Sequence, residues 1–316
     1  MSFQIKMEPK VSVIVPVLNR ENLIERCLDS IVNQTVKPFE IIVVDNGSTD
    51  STVNVIERWI ESNQEKDISL KLLHQSVKGA CMARQKGLEM ATGDYVSFFD
   101  SDDEMHLDLI EKTINGIINY PDSDIICWKC RINHLDGLKR IPNFMPLKPF
   151  EGHLVHAFLM TSNWLAKRSY VLKNGGWSKR IFVWDDFELG LRLLLPNPVI
   201  TPINEVLAEI YSQEDSITGT DFSSKEGQWE TTINELERVA QASNHVSKDK
   251  IIKILNYRRA ILAAHYYKEG NIKGAEKLMK EALSKASFKN KFFLKFSYYY
   301  TRHGLRGAWR LIRSFY

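Results

Sequence analysis

Apolar segments alternate with amphipathic ones over the first hundred residues. The segment VSVIVPV at residues 11–17 is apolar throughout and rich in β-branched side chains, as is typical of a strand buried on both faces of a parallel sheet. Residues 21–34 then carry apolar side chains at helical spacing. The pattern repeats, with strands predicted at 39–44, 70–74 and 95–99 and helices at 51–61 and 79–91. This alternation predicts an α/β fold with a mostly parallel sheet and helices on both faces.

Three carboxylates follow the strand at residues 95–99, namely Asp100, Asp102 and Asp103. An unpaired buried carboxylate is costly, so these side chains must meet water, a cation or a basic partner. Oxygen ligands suit Mg²⁺ and Mn²⁺, and Mg²⁺ is usually held by one or two carboxylates together with the phosphates of a substrate. A solvated turn that caps the helix beginning near Met105 explains the same residues. The stretch alone leaves both interpretations open.

Further polar residues lie at the same edge of the predicted sheet. Ligands of parallel α/β sheets bind beyond the carboxyl ends of the strands, where residues 16–19, Asp45 and residues 100–103 all fall. Gly79 opens a helix whose first N–H groups can face a phosphate, and Arg84 follows little more than one turn later. Asp45 also suits a plain turn in DNGSTD, and Arg84 also suits a pair with a surface carboxylate.

Two more carboxylates, Asp185 and Asp186, stand at the N-terminal end of an apolar helix in WDDFELGLR. Acidic residues at this position stabilise a helix through its dipole. They also suit a general base, because an inverting displacement needs a carboxylate to take the proton of the acceptor hydroxyl.

The chain is helical in pattern from about Phe222, which predicts a first domain at 1–222 and a helical extension at 223–316. Residues 261–283 resemble a single tetratricopeptide repeat, and we interpret them as a helical hairpin packed on the first domain. No acidic residue follows Glu281, whereas 8 basic ones do. Setting those 8 aside leaves 34 basic against 39 acidic residues, so a body of net charge −5 carries a basic end.

The basic end, residues 285–316, is also rich in aromatic side chains, with 10 of them after Ala286. Basic and aromatic character together suits an anionic membrane surface, and docking on the acidic body is the alternative. Nucleic acid is not an expected partner, because no nucleic-acid module is recognisable.

No apolar run approaches the roughly 18 residues that a membrane-spanning helix needs, and residues 1–10 lack the apolar region of a secretory signal. Four cysteines fit a reducing compartment, and the pair Cys127 and Cys130 is expected to be structural because it lies in a predicted strand. These observations predict a cytoplasmic protein, or one that is peripheral on the cytoplasmic face of a membrane.

Four strings in order resemble the family 2 inverting glycosyltransferases of the GT-A fold: VSVIVPVLNR, VVDNGSTDST, GACMARQKGLEMATGDYVSFFDSDD and WDDFELGLR. The resemblance covers about residues 10–218. It implies a GT-A domain followed by the helical region, and transfer of a hexosyl or N-acetylhexosaminyl group with inversion. The implied donor is a nucleotide-diphospho-sugar, UDP-linked by expectation, and the acceptor is a hydroxyl of a glycan or lipid-linked molecule in cell-surface polysaccharide synthesis.

The resemblance also implies roles for individual residues. Asp45 would accept a hydrogen bond from the donor's base, in a pocket lined by Pro16 and Asn19. Asp100 and Asp102 hold the D-x-D places, with Asp102 on Mn²⁺ or Mg²⁺ and Asp100 on ribose or metal. Gly79 and Arg84 would serve the donor diphosphate, Asp186 would be the base, and Asp185 is the second choice for the base. Asp103, which lies outside the D-x-D pair, is expected to cap the following helix.

The sequence departs from the family pattern at two places. Gln85 stands where the family usually has asparagine, and the adjacent arginine is kept. Ser212 and Glu214 stand where the family often has the arginine and histidine of Y-R-x-H, which makes Glu214 a candidate third metal ligand. The alternative function is a catalytically silent GT-A-like domain that binds nucleotide sugars or acts as a scaffold through its helices. A nucleotidyltransferase is disfavoured, because VPVLNREN lacks a Gly-rich, Lys-bearing phosphate loop.

Overall fold

The computed structural model of the protein describes residues 8–213, 222–245 and 247–305. Its strands are β1 (Val11–Val17), β2 (Glu40–Asp45), β3 (Ser69–His74), β4 (Tyr95–Phe98), β5 (Glu104–Met105), β6 (Ile125–Asn133), β7 (Lys139–Arg140), β8 (Trp164–Lys167) and β9 (Ile200–Tyr211). Its helices are α1 (Ile24–Val32), α2 (Thr52–Ser62), α3 (Ala80–Met90), α4 (Leu109–Asn119), α5 (Pro149–His156), α6 (Arg168–Lys173), α7 (Asp185–Leu194), α8 (Gln228–Ala242), α9 (Lys248–Lys268), α10 (Ile272–Ser284) and α11 (Phe288–Arg302).

All the strands described join one sheet in the order β3-β2-β1-β4-β8-β6-β9-β5, with β7 beside β6. The first half is parallel, since β1 pairs with β2 and β4, and β2 pairs with β3. The second half is mixed, because β8 runs antiparallel to both β4 and β6. The predicted α/β fold with helices on both faces is confirmed, and β8 and β9 complete the sheet beyond the alternating region.

Helix α3 approaches the centre of the sheet closely, which brings its side chains to the edge where β1, β2 and β4 end. A Cβ atom on Gly87 would lie 2.3 Å from Cγ2 of Ile14 in β1, so only glycine permits this packing distance. Residues of β1 alternate between two buried clusters, with Val13 and Val15 on one side and Ile14 on the other. The predicted two-sided burial of this strand is therefore observed.

The C-terminal helices α8 to α11 share a buried core with the sheet domain. Trp229, Ile233 and Leu236 of α8 lie in the same apolar cluster as Val183 and Phe187. Helices α9 and α10 are joined at Gly270, whose φ of 85° is readily adopted by glycine. The predicted helical extension is confirmed, and the exact division at residues 222 and 223 stays a prediction. Within the described ranges, no helix is both long and apolar enough to cross a membrane.

Candidate active site

A cavity of about 490 Å³ opens beyond the carboxyl ends of β1 and β4. Its volume lies in the range of small-ligand sites. Its lining includes most of the residues singled out from the sequence, and it also includes Asn46 and Tyr211. The lining residues that concern the site are Pro16, Asn19, Asn46, Gly79, Arg84, Asp100, Asp102, Asp103, Asp185, Asp186 and Tyr211. Asp45 is not among the lining residues, and Glu214 falls outside the described residues.

Asp45 is 4% exposed, and its carboxylate organises the loop that follows β2. The backbone N–H groups of Gly47 and Ser48 both donate to it at 3.1 Å, and His74 Nδ1 lies 3.5 Å away. Burial alone would raise the pKa of Asp45, but hydrogen bonds from Ser48, Gly47 and His74 bring that pKa below its usual value. Asp45 is therefore a charged group whose position shapes the loop.

Asn46, which the sequence interpretation missed, lines the cavity next to Asp45. Its Nδ2 donates to the carbonyl oxygens of Gln75 and Val77 at 2.9 and 2.7 Å, and its Oδ1 accepts from Gly79 N at 2.6 Å. These bonds tie the end of β2 to the start of α3. The only sequence signal was its position directly after Asp45 at a strand end.

Asn19 joins the loops after β1 and β2. Its φ of 52° is in the left-handed region, which asparagine tolerates better than most residues. Its Oδ1 accepts from Thr49 N at 2.8 Å, and its own N–H donates to Ser48 Oγ at 3.0 Å. The two loops thus form one side of the cavity.

Arg84 connects two groups of carboxylates. Its Nη2 donates to Asp100 Oδ1 at 2.7 Å, and its Nη1 donates to Asp185. The guanidinium carbon lies 4.7 Å from the ring centre of Trp177, and the side chain is buried. Burial would lower the pKa of Arg84, but the charges of Asp185 and Asp100 raise it above its usual value. The cation is therefore permanent.

Asp185 and Asp186 have different surroundings although they are adjacent. Asp185 accepts from Arg84, and the Cys81 thiol lies 3.3 Å from its Oδ2. Asp186 Oδ1 accepts from Phe187 N at 2.7 Å. Burial and the negative charge of Asp185 raise the pKa of Asp186 to about 7. Asp186 is thus poised to exchange a proton near neutral pH.

The three carboxylates after β4 also have separate environments. Asp102 Oδ2 lies 3.5 Å from Arg20 Nε, and Asp100 pairs with Arg84. Asp103 is buried, and it accepts from Ser162 Oγ at 2.6 Å and from Tyr211 N at 3.2 Å. The expectation that Asp103 caps the next helix is wrong, because α4 begins after Asp108 and Asp103 instead binds the end of β9.

The carboxylates of the cavity suit a divalent metal ion that is coordinated jointly by the protein and a phosphate group. Among the residues described, no group of three or more His, Cys, Asp or Glu side chains is arranged to hold a metal ion. Asp100 and Asp102 line the same cavity, and two carboxylates are the number of protein ligands that Mg²⁺ usually takes beside substrate phosphates. The donor set therefore fits Mn²⁺ or Mg²⁺ held jointly with a diphosphate.

The parallel first half of the sheet, with its cavity beyond the carboxyl ends of β1 and β4, is the architecture expected of the GT-A fold. The chain belongs to glycosyl transferase family 2, whose sequence model matches residues 12–174, more than half of the chain. The family resemblance seen in the sequence is confirmed.

Curated relatives match about a third of the chain. Glycosyltransferase GlyA of Streptococcus pneumoniae serotype 4 is 40% identical over 114 residues, which are 36% of this chain and 16% of GlyA. The uncharacterized glycosyltransferase YibD of Escherichia coli is 39% identical over 102 residues, 32% of this chain and 28% of YibD. The match thus spans a minor part of each relative's length.

Solved structures resemble nearly the whole chain. Staphylococcus aureus TarS 1–349, in complex with UDP-GlcNAc, superposes with a TM-score of 0.71 at 18% identity over 94% of this chain and 92% of that one. The mannosyltransferase PcManGT of Pyrobaculum calidifontis, in complex with GDP-Man and Mn²⁺, gives a TM-score of 0.60 at 18% identity. The superposition covers 97% of this chain and 83% of that one. At these identities the likeness shows the shared fold.

Proposed function

We propose that the protein moves a sugar from a nucleotide-diphospho-sugar, expected to be UDP-linked, to a hydroxyl of a glycan or lipid-linked acceptor, with inversion at the anomeric carbon. The observation that carries the proposal is Asp186, a carboxyl group with a pKa of about 7 in the same cavity as Asp100 and Asp102. A base that titrates near the operating pH is best suited to general base catalysis.

The donor's nucleotide is proposed to bind beside the loops after β1 and β2. Pro16 and Asn19 line this end of the cavity. Asp45 is proposed to accept a hydrogen bond from the base, because its carboxylate lies at the end of β2, next to Asn46, which lines the cavity. TarS, which has the same fold, is in complex with UDP-GlcNAc in its structure, which supports a nucleotide-sugar donor here.

The donor's diphosphate is proposed to lie between the start of α3 and the carboxylates after β4. Gly79 and Arg84 would face its negative charge, and Asp100 and Asp102 would hold Mn²⁺ or Mg²⁺, with Glu214 as a candidate third ligand. When bound, the ion would neutralise charge that develops on the leaving diphosphate. The permanent cation of Arg84 would stabilise the same charge from the protein side.

Asp186 is proposed as the general base. As the acceptor oxygen attacks the anomeric carbon, Asp186 takes the hydroxyl proton, and the bond between that carbon and the diphosphate oxygen breaks. Asp185 is the second candidate, but its pairing with Arg84 and Cys81 leaves its carboxylate less available. The contrast between these two neighbours supports Asp186 in this role.

We also propose that the protein acts at the cytoplasmic face of a membrane, with an anionic bilayer as a partner of residues 285–316. Helix α11 exposes an aromatic stripe, defined as Phe288, Phe292, Phe296 and Tyr299. The spacing of four, four and three residues places these side chains on one helix face. Exposed Lys289, Lys291 and Lys295 lie on the same helix, which supports binding to anionic headgroups. Residues 306–316 of this region lie outside the described part of the chain.

A donor panel tests the proposed reaction. The protein is incubated with UDP-, GDP- and other nucleotide sugars and Mn²⁺, and nucleotide release is measured with and without EDTA. Release with one donor class that EDTA abolishes is expected. The proposal is contradicted if no donor gives nucleotide release and no nucleotide binds in the presence of the metal.

Asp186→Asn tests the base in the same assay. Removing a general base lowers transfer by about 10²- to 10⁴-fold, whereas donor binding should stay near normal. Asp249→Asn, the same change at an exposed residue of α9, is the matched control and should keep full activity. Loss of donor binding in Asp186→Asn would instead indicate that Asp186 contacts the donor and is not the base.

A further inference from the structure

The turn that carries Asp186 is held by side chains of the C-terminal helices. Trp184, two residues before Asp186, has φ 53°, a left-handed conformation that is uncommon for a bulky residue. Its ring centre lies 4.8 Å from that of Trp229 in α8. Thr232, also in α8, donates its hydroxyl to the carbonyl oxygen of Val183 at 2.8 Å. Contacts from α8 therefore support an otherwise unfavourable backbone turn.

Helix α9 contributes a second support through Arg258. Its guanidinium carbon lies 5.0 Å from the ring centre of Phe187 and 5.7 Å from that of Trp184. Its Nε and Nη2 both donate to the carbonyl oxygen of Leu154, at 3.0 and 2.9 Å. The guanidinium thereby joins the end of α5 to the first turn of α7. Two separate helices of the extension thus contact the same five-residue turn, from Val183 to Phe187.

We propose that the C-terminal helices are required for catalysis because Thr232, Trp229 and Arg258 are positioning residues for Asp186. The inference rests on the proposed role of Asp186 as base. A base must lie within hydrogen-bond reach of the proton it takes, and a displacement of about 1 Å can cost about 10²-fold in rate. The extension therefore does more than add stability, since its side chains determine where the carboxylate lies.

Thr232→Val tests the inference, because it removes the hydroxyl while keeping nearly the same shape. We expect kcat for transfer to fall at least about tenfold, with the donor dissociation constant unchanged, and Thr232→Ser to restore kcat. Thr231→Val is the matched control, since Thr231 is exposed on the same helix and its hydroxyl donates to the carbonyl oxygen of Gly227, the residue directly before α8.

The pH dependence of kcat separates a positioning role from a general loss of stability. The charged groups that act on Asp186 are Asp185, Arg84 and Asp100, with Arg258 facing it from α9. If Thr232→Val loosens the turn, Asp186 becomes better hydrated and its pKa falls toward the usual value. The acidic limb of the kcat profile should then move to lower pH. If the variant is only less stable, the acidic limb of its kcat profile stays at the same pH as in the wild type.

Arg258→Lys provides a second test should Thr232→Val fold poorly. Lysine keeps the positive charge but lacks the paired donation to Leu154, so the same fall in kcat at constant donor affinity is expected. The inference is overturned if both variants resemble Thr231→Val, or if donor affinity falls in parallel with kcat. Normal transfer by Asp186→Asn would instead refute the base assignment itself, so the two failures are distinguishable.

Discussion

Arg84 Nη2 lies 2.7 Å from Asp100 Oδ1, and the same guanidinium donates to Asp185 from its other side. One buried cation thereby joins the proposed metal ligands to the helix that carries the proposed base. Arginine suits this position because its planar fork serves two carboxylates at once, which a point charge does not.

Arg84→Lys should weaken binding of the nucleoside diphosphate by about 10- to 100-fold, because hydrogen bonds to charged groups contribute about 1.5–3 kcal/mol. Isothermal titration calorimetry with UDP and Mn²⁺ measures this change. Arg168→Lys is the matched control, since Arg168 donates to backbone carbonyls of Leu88 and Glu89. Equal affinity in the two variants would show that Arg84 does not serve the diphosphate.

The rate of transfer should rise with pH through about 7. Asp186 has a raised pKa of about 7, so its carboxyl is protonated below that pH and cannot take a proton. At pH 6 the rate at saturating substrate should be about one tenth of its plateau value. Single-turnover kinetics between pH 5.5 and 8.5 provide the measurement. A rate that is flat over this range would mean that another group is the base.

Ser162→Ala should loosen the loop that carries the carboxylates after β4. The Ser162 hydroxyl donates to Asp103 and accepts from Asp100 N at 3.1 Å, so its removal leaves a buried carboxylate and a partly buried N–H without this partner. The free energy of unfolding should fall by about 1–3 kcal/mol, as measured by urea denaturation. Ser284→Ala is the control, because that exposed hydroxyl donates to the carbonyl oxygen of Glu281 within α10. Equal stability of both variants would show that the Ser162 hydroxyl does not hold this loop.

Replacing Phe288 and Phe292 of the aromatic stripe by serine should abolish binding to vesicles that contain anionic lipid. These side chains are 91% and 73% exposed, so their loss should leave folding largely intact. Sedimentation with vesicles is the measurement, and added salt should weaken wild-type binding because it screens the lysines. Leu135→Ser with Leu138→Ser removes two exposed apolar residues elsewhere and should bind like the wild type. Unchanged binding of the stripe variant would exclude α11 as the membrane contact.

Much of the fold was predictable, because buried strands such as residues 11–17 are continuous apolar runs. Strand β8 was not, since its apolar run Trp164–Ala166 is only three residues long and periodicity cannot assign it. Strand β9 carries polar residues such as Glu205 and Glu209, and its pairing with β6 is irregular after Trp128. The prediction for Asp103 failed because its partners, Ser162 and Tyr211, are distant in sequence.

By itself, the sequence determined the alternating α/β order, the family and the strand ends where carboxylates gather, because each is recorded in local patterns of burial and residue type. Only the tertiary structure decided the different surroundings of the adjacent carboxylates Asp185 and Asp186. Arg84, from a distant part of the chain, pairs with Asp185, and burial raises the pKa of Asp186. Such a distinction depends on which side chains meet in space, and residue spacing along a chain does not carry that information.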